Sequence, residues 1–197
     1  DDEDLPFSVK PDEKVDARKV MELLRSTYEG TELDMTRNLK IVNRDGDTIV
    51  SPLANPWMGS GDIATYNMIA PNTVEFQRTV SVSWCSYSFV AQLRSWMPNE
   101  IGGICWYAVE NPGQSPRIPI FTGSTQLPSC FDECGHGNYN ENTILWRYRK
   151  ANKLAQIQWG STKKIMIDNV LRYEEKAMKE IPALEKEVMT LLEEGKK

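Results

Sequence analysis

The feature that most constrains the fold is the separation of strand-like and helix-like sequence along the chain. From residue 62 to residue 122, short apolar stretches rich in β-branched and aromatic residues are divided by turn signals, which is typical of strands. From residue 141 to residue 194, apolar residues recur every three or four positions, which is typical of helices. Strands followed by helices predict an α+β fold, with helices packed on an antiparallel sheet.

Within the strand-rich region we predict four strands, at residues 63–70, 73–82, 87–93 and 101–109. Turn signals at residues 71–72 and 98–99 favour an antiparallel meander. Residues 75–82 alternate cleanly, which places Phe76, Arg78, Val80 and Val82 on one face. An arginine on such an apolar face is expected to point inward and to need a partner.

The flanking regions divide the chain into four consecutive parts of one larger domain. Residues 1–61 are predicted to hold a helix at 17–29, capped by Asp16 and stopped by Gly30, and then a turn-rich stretch. Residues 62–122 are strand-rich, and residues 123–140 form a loop. Residues 141–194 are helical, with Pro182 expected to kink the second helix or to start a new one.

Charge and hydropathy exclude two classes of partner. The 197 residues carry a net charge of −5, so no basic surface for nucleic acid is expected. No apolar run approaches the roughly 20 residues that cross a bilayer, and the acidic first residues do not resemble a signal peptide. A soluble protein is expected, which is cytoplasmic, or secreted or periplasmic if an upstream segment carries the signal.

The cysteines, together with the single histidine, offer the candidate metal ligands. Cys85 and Cys105 lie in apolar, strand-like runs and are interpreted as small buried hydrophobes. Cys130, Cys134 and His136 share one glycine-rich loop, where free thiols are favoured over a local disulfide or a metal site. A structural zinc site needs four ligands, and this cluster has three, so we expect no metal and no other cofactor.

Several stretches together resemble a known family. They are LPFSVKP at 5–11, NPW at 55–57, SWC at 83–85, GGICW at 102–106, ENPGQSPRIPI at 110–120 and WRYR at 146–149. The chain is similar in them to the C-terminal half of the dipeptidase branch of the N-terminal-nucleophile cysteine hydrolases. The resemblance implies a cysteine dipeptidase with an αββα sandwich, in which two antiparallel sheets stack between helical layers. An N-terminal catalytic half would complete it.

The resemblance also implies where the nucleophile lies. Enzymes of this class attack with the side chain of the first residue of the mature chain, while its α-amino group acts as the base. This chain begins with Asp1, and the family's nucleophilic cysteine belongs upstream of Leu5. We therefore expect no catalytic residue in this chain and no activity from it alone. The expected partners are the N-terminal half and a dipeptide substrate.

Four residues are candidates for lying near a substrate. Arg78 lies in a segment shared with the family, and its guanidinium suits the terminal carboxylate of a peptide. Ser86 and Ser88 match a family pattern after Cys85, and Arg117 lies in a rigid loop between prolines. Each has a structural alternative: an ion pair for Arg78, sheet or turn hydrogen bonds for the serines, and contacts to loop carbonyls for Arg117.

Two other functions stay open at this point. The chain fits a non-catalytic binding or scaffold homologue of the same family, or an acylase-like hydrolase of non-peptide amides. A cysteine at the start of an upstream catalytic half would favour the peptidase over the scaffold. In either case a sheet built to meet a missing second sheet would leave apolar surface exposed. The isolated chain would then self-associate through that face or cover it with its own C-terminal helices, and self-association is favoured.

Overall fold

The computed structural model describes residues 6–195. The acidic residues 1–4, on which the expectation about the nucleophile rests, lie outside this range. The described chain is α+β, as predicted, and contains two small antiparallel sheets and several helices. In chain order the elements are α1 (Ala17–Leu24), β1 (Lys40–Val42), β2 (Thr48–Val50), α2 (Ser60–Ile69), β3 (Tyr87–Leu93), α3 (Asn99–Gly102), β4 (Gly103–Val109), β5 (Ile118–Phe121), α4 (Ile144–Gln156) and α5 (Trp159–Glu193).

The first helix begins where predicted and ends early. The Asp16 side chain accepts a hydrogen bond from the Lys19 backbone N–H at 2.8 Å, which confirms it as the N-cap. The helix ends at Leu24 and not at residue 29, because the following residues leave helical geometry. Tyr28 and Gly30 both adopt positive φ angles, of 61° and 80°. Only glycine takes this conformation without steric cost.

The strand predicted at residues 63–70 is wrong, because this segment forms helix α2. Asp62 in the first turn accepts a hydrogen bond from the Gly59 N–H, which stabilises the helix start. Ile63 and Tyr66, three residues apart, both pack on a buried cluster that contains Met35 and Val74. A strand would have turned these two side chains to opposite faces, so packing on this cluster favours the helix.

Residues 73–82 form an extended segment outside any sheet, so this predicted strand is also wrong. Polar and apolar side chains do alternate along this segment, but the polar side is the buried one. Thr79 and Ser81 are inside, whereas Phe76 and Val80 are exposed. Arg78 shares the outer side and is exposed, which corrects the expectation that it points inward. Buried hydrogen bonds to Ser81 decide the orientation, as described below.

The main sheet is antiparallel, as expected, but its order β3-β4-β5 contains only the last two of the four predicted strands. The prediction of β3 at residues 87–93 is confirmed, and β4 begins two residues later than predicted, after the short helix α3. Strand β5 was not predicted, because its four residues include Pro119 and give too short a signal. The short β1-β2 hairpin lies within the stretch predicted to be rich in turns.

The two faces of this sheet have different surroundings. On the covered face, Val90, Ile104 and Trp106 pack against Met21 of α1 and Ile181 of α5. On the other side, which we call the open face, Tyr87, Phe89 and Leu93 of β3 are 55%, 54% and 78% exposed. Helix α4 covers only the part of that side around Val109 and Ile118. The chain's own helices thus pack on the centre of one face and cover the open face only in part.

The C-terminal region is helical as predicted. Helix α4 begins after Thr143, whose hydroxyl caps the Trp146 N–H, and not at residue 141. Helix α5 runs from Trp159 to Glu193 through Pro182, so the alternative in which Pro182 starts a new helix is wrong. In the described residues, no helix is both long and apolar enough to cross a membrane.

We expect the isolated chain to self-associate through the open face, because more than half of the surface of its apolar side chains Phe89 and Leu93 is exposed to solvent. Leu93→Glu should shift the chain to a monomer, because it places a charge where the open faces of two chains would meet. Ile165→Glu, at an exposed position of α5, should leave the association unchanged. Sedimentation velocity measures the difference. A wild-type chain that sediments as a compact monomer at high concentration, and binds no dye for exposed apolar surface, would refute this prediction.

Candidate functional site

Two of the four predicted site residues meet beneath the sheet. Arg117 lies in the loop before β5, and its Nη2 donates to the Ser88 hydroxyl at 3.3 Å. Ser88 belongs to the covered face of β3, opposite Ala108. The Arg117 side chain is only 1% exposed. Burial, together with the nearby Arg25 guanidinium, lowers the pKa of Arg117 to about 10.

The Glu174 carboxylate of α5 connects Arg117 and Ser88 to the helices on the covered face. The Arg117 backbone N–H donates to Glu174 Oε1 at 2.7 Å. The Arg25 guanidinium, directly after α1, pairs with the same oxygen. Glu174 is buried, so both interactions act in a poorly solvated environment. Arg117 therefore links β3 to α5, and Glu174 in turn connects α5 to the end of α1.

The other two predicted residues lie apart from this pair. The Arg78 side chain is exposed on the extended segment, and the Ser86 side chain is exposed just before β3. Ser86 takes part in the sheet through its backbone, because its carbonyl accepts the Glu110 N–H at 3.0 Å. The four candidates therefore form two sets, one enclosed beneath the sheet and one facing solvent.

The most polar buried region centres on Glu110, which directly follows β4. Glu110 is 1% exposed and has a φ of +66°, in the left-handed region that non-glycine residues rarely adopt. Its Oε2 accepts hydrogen bonds from the Asn111 N–H at 2.7 Å and from Asn152 Nδ2 at 2.8 Å. Arg149 Nε lies 3.6 Å from Oε1. This carboxylate thus has both charge and hydrogen-bond partners.

Side chains around Glu110 extend the network to the extended segment and to α4. Asn111 Oδ1 accepts from the Ser81 hydroxyl at 2.6 Å, and Asn111 Nδ2 donates to Gln114 at 2.9 Å. A Cβ at Gly113 would collide with the Ser81 side chain, so this position requires glycine. We call Ser81, Glu110, Asn111, Gln114 and Asn152 the polar hub. It explains why the polar side of the extended segment faces inward.

Sequence reasoning missed the polar hub as a site. The stretch at 110–120 carries the family resemblance, but its Glu110, Asn111 and Gln114 were not selected. One usable signal was Asn152, because it follows Leu145 and Tyr148 on one stripe of α4 at helical spacing. An amide on the apolar stripe of a helix indicates a buried hydrogen-bonding partner.

The cysteines in the described chain are free thiols, and two have a raised pKa. Burial raises the pKa of both Cys85 and Cys105, and the Cys85 thiol donates to the Tyr87 carbonyl at 3.0 Å. Both are partly, and not fully, buried. Nucleophilic thiols have lowered pKa values, so this environment is the opposite of an activating one. Among residues 6–195, no three Cys, His, Asp or Glu side chains are grouped as a metal site would require.

A cavity of about 510 Å³ lies beside the polar hub, between α4 and α5. Its lining includes Gln114 and Asn152 of the hub, with Tyr148, Val170 and Tyr173 around them. Burial, with Cys130 close by, raises the pKa of Tyr148 to about 12, so its hydroxyl stays protonated at neutral pH. This cavity is large enough to accommodate an apolar group beside hydrogen-bonding amides.

Comparison with known proteins decides the family. The model of peptidase family C69 matches residues 1–172 of the chain. The chain belongs to peptidase family C69. It is similar to a probable dipeptidase of Latilactobacillus sakei, with 24% identity over 185 residues, which cover 94% of this chain and 33% of that protein. The chain therefore spans about one third of the length of this relative. No solved structure matches it.

For this C69 chain we expect Asn152→Ala to destabilise the fold by about 2–3 kcal/mol, because it removes the side-chain hydrogen bond to the buried Glu110 carboxylate and leaves the Asn111 N–H as its remaining hydrogen-bond donor. Asn169→Ala, at an exposed position of α5, should cost less than about 0.5 kcal/mol. Urea unfolding followed by circular dichroism gives both values. Equal, small losses for the two variants would contradict the role given to the polar hub.

Proposed function

We propose that this chain is the C-terminal part of a cysteine-type dipeptidase, whose N-terminal half supplies the nucleophile. The observation that carries the proposal is the match to peptidase family C69 over residues 1–172, joined by the similarity to a probable dipeptidase. Because the chain spans one third of that relative, the remaining two thirds can hold the catalytic cysteine. The substrate would be a dipeptide, and the reaction hydrolysis of its peptide bond.

The environment of the thiols supports a nucleophile from outside this chain. An attacking cysteine works as a thiolate, which requires a lowered pKa or an adjacent base. Burial instead raises the pKa of Cys85 and Cys105. A cysteine at the first position of a chain has its own α-amine as base, with a pKa of roughly 7.7–8.0. We therefore assign the attack to such a residue of the N-terminal half.

The open face supports the proposal that an N-terminal half packs on this sheet. Two sheets that stack face to face lie about 10 Å apart and bury apolar side chains between them. Phe89 and Leu93 present such side chains, while α1 and α5 already cover the opposite face. A second sheet on the open face would create the αββα sandwich expected for an N-terminal-nucleophile hydrolase. The polar hub would then hold the end of β4 in position.

Arg78 and Ser86 are the candidates that a substrate can reach. Both are exposed, whereas Arg117 and Ser88 lie beneath the sheet on the side covered by helices. We propose that Arg78 binds the terminal carboxylate of the dipeptide, because a guanidinium forms two parallel hydrogen bonds with a carboxylate. Ser86, the residue just before β3, would contribute a hydroxyl. Arg117 and Ser88 would position the sheet without contacting the substrate.

We predict that the isolated chain does not hydrolyse dipeptides, because the nucleophilic thiol is supplied by the N-terminal half. Purified residues 1–197 would be assayed against a panel of dipeptides. The control replaces Cys85, Cys105, Cys130 and Cys134 by alanine. Turnover by the isolated chain that survives in this variant would refute the proposed mechanism.

Joined to an N-terminal half that begins with cysteine, the chain should become active and sensitive to thiol alkylation. Arg78→Gln should then raise KM about tenfold or more, while Arg44→Gln, at another exposed arginine, should not change it. A joined protein that folds and binds dipeptides without cleaving them would indicate the scaffold homologue. Cleavage restricted to non-peptide amides would indicate an acylase.

A further inference from the structure

The cavity of about 510 Å³ between α4 and α5 is not used by the proposed hydrolysis. Its walls are mainly apolar, and four rings line it: Pro116 and Pro119 around the start of β5, Tyr148 of α4 and Tyr173 of α5. Flat rings of this kind pack well against another aromatic ring. Pockets of roughly 300–1,000 Å³ with apolar walls and a few polar groups are typical of sites for small organic ligands.

One buried acceptor in the lining of this cavity has no donor. Asn152 is 1% exposed, and its Nδ2 donates both of its hydrogens, to Glu110 and to Ser115. Its Oδ1 accepts no hydrogen bond from the described residues, yet it is not one of their unpaired polar atoms that solvent cannot reach. Because Asn152 lines the cavity, we infer that the accessible surface of Oδ1 faces it. Buried polar atoms are nearly always paired, so this oxygen indicates a donor on a ligand.

The Tyr148 hydroxyl supplies a second hydrogen-bonding group, one helical turn before Asn152. The two residues are four positions apart on α4, so their side chains are neighbours on one face of the helix. Within residues 6–195 this hydroxyl has no hydrogen-bond partner, and solvent can reach it. The raised pKa of Tyr148, about 12, keeps the hydroxyl protonated at neutral pH, so it can donate. The cavity therefore presents a donor next to an acceptor.

The charge of the lining favours an uncharged ligand. Among the described residues that line the cavity, Arg117 is the charged one. Its Nε and Nη1 are inaccessible to solvent, and its Nη2 donates to Ser88. A charged ligand would lose its hydration here without gaining a partner of opposite charge, which is costly. An uncharged ligand with a hydroxyl would lose little, because Asn152 and Tyr148 replace its hydrogen bonds to water.

We propose that the cavity between α4 and α5 binds an uncharged phenol. The ring of the ligand would pack against the tyrosine and proline rings of the lining. Its hydroxyl would donate to Asn152 Oδ1 and would accept from the Tyr148 hydroxyl. Because Asn152 also donates to the buried Glu110 carboxylate, the ligand would contact the polar hub directly. The site is separate from the proposed dipeptidase function and does not depend on it.

Isothermal titration of the full chain with 4-methylphenol at neutral pH tests the proposal. Two analogues are compared with it: 4-methylanisole keeps the ring and the oxygen but has no hydroxyl hydrogen, and 4-methylbenzoate is negatively charged. The expected result is saturable binding of 4-methylphenol and at least tenfold weaker binding of each analogue. Absence of saturable binding, or equal affinity for 4-methylphenol and either analogue, would overturn the proposal.

Two pairs of variants test whether 4-methylphenol binds in this cavity and not on another apolar surface. Tyr148→Phe removes the donor and should weaken binding at least fivefold, whereas Tyr66→Phe, in α2, should leave it unchanged. Ala151 is an exposed residue of the lining, so Ala151→Trp should block the cavity and weaken binding at least tenfold. Lys150→Trp, at an exposed position outside the lining, should bind as the wild type does. Wild-type affinity in Tyr148→Phe or in Ala151→Trp would refute the site.

Discussion

Burial of the Glu110 carboxylate is the interaction on which the rest of the structure depends. An ionised carboxylate leaves water only at high cost, so the surroundings must supply donors and a positive charge. Asn152 of α4 supplies a donor and Arg149 supplies the charge. Glu110 directly follows β4, and its backbone N–H donates to the Ser86 carbonyl just before β3, so this one residue connects the sheet to the C-terminal helices.

The polar hub also decides which surfaces stay apolar and exposed. Ser81 bonds to Asn111, so the polar side of the extended segment is drawn inward and its Phe76 and Val80 face solvent. The sheet shows a similar imbalance, because α1 and α5 cover one face while Phe89 of the other contacts solvent. Contiguous exposed apolar surface is typical of a face that another chain or domain covers. This reasoning supports the proposed N-terminal half.

The sequence predicted the parts of the fold that depend on local pattern. The N-cap at Asp16, the strand at 87–93 and the C-terminal helices follow from capping and periodicity, and the structure contains them. The prediction of a strand at 63–70 was wrong because a short apolar pattern does not distinguish a strand from a helix. Packing on Met35 and Val74 favours the helix here.

The site was less predictable, because it depends on contacts between residues far apart in the chain. Arg117 was selected, and its loop position is correct, but its partners Ser88 and Glu174 lie 29 and 57 residues away. The inward direction assigned to Arg78 was wrong because alternation alone does not say which side of an extended segment is buried. Long-range hydrogen bonds, which leave no periodic signal, make that choice here.

Hydroxyl-radical footprinting tests the central claim, that this chain is one part of a larger C69 fold, most directly. The probes are Phe89 and Leu93 on the open face, with Tyr173 of α5 as an exposed reference. In a longer C69 protein that contains this chain and an N-terminal half, labelling of the two probes should fall severalfold relative to the isolated chain, held as a monomer by dilution. Labelling of Tyr173 should stay the same. Equal labelling of Phe89 and Leu93 in both proteins would contradict the claim.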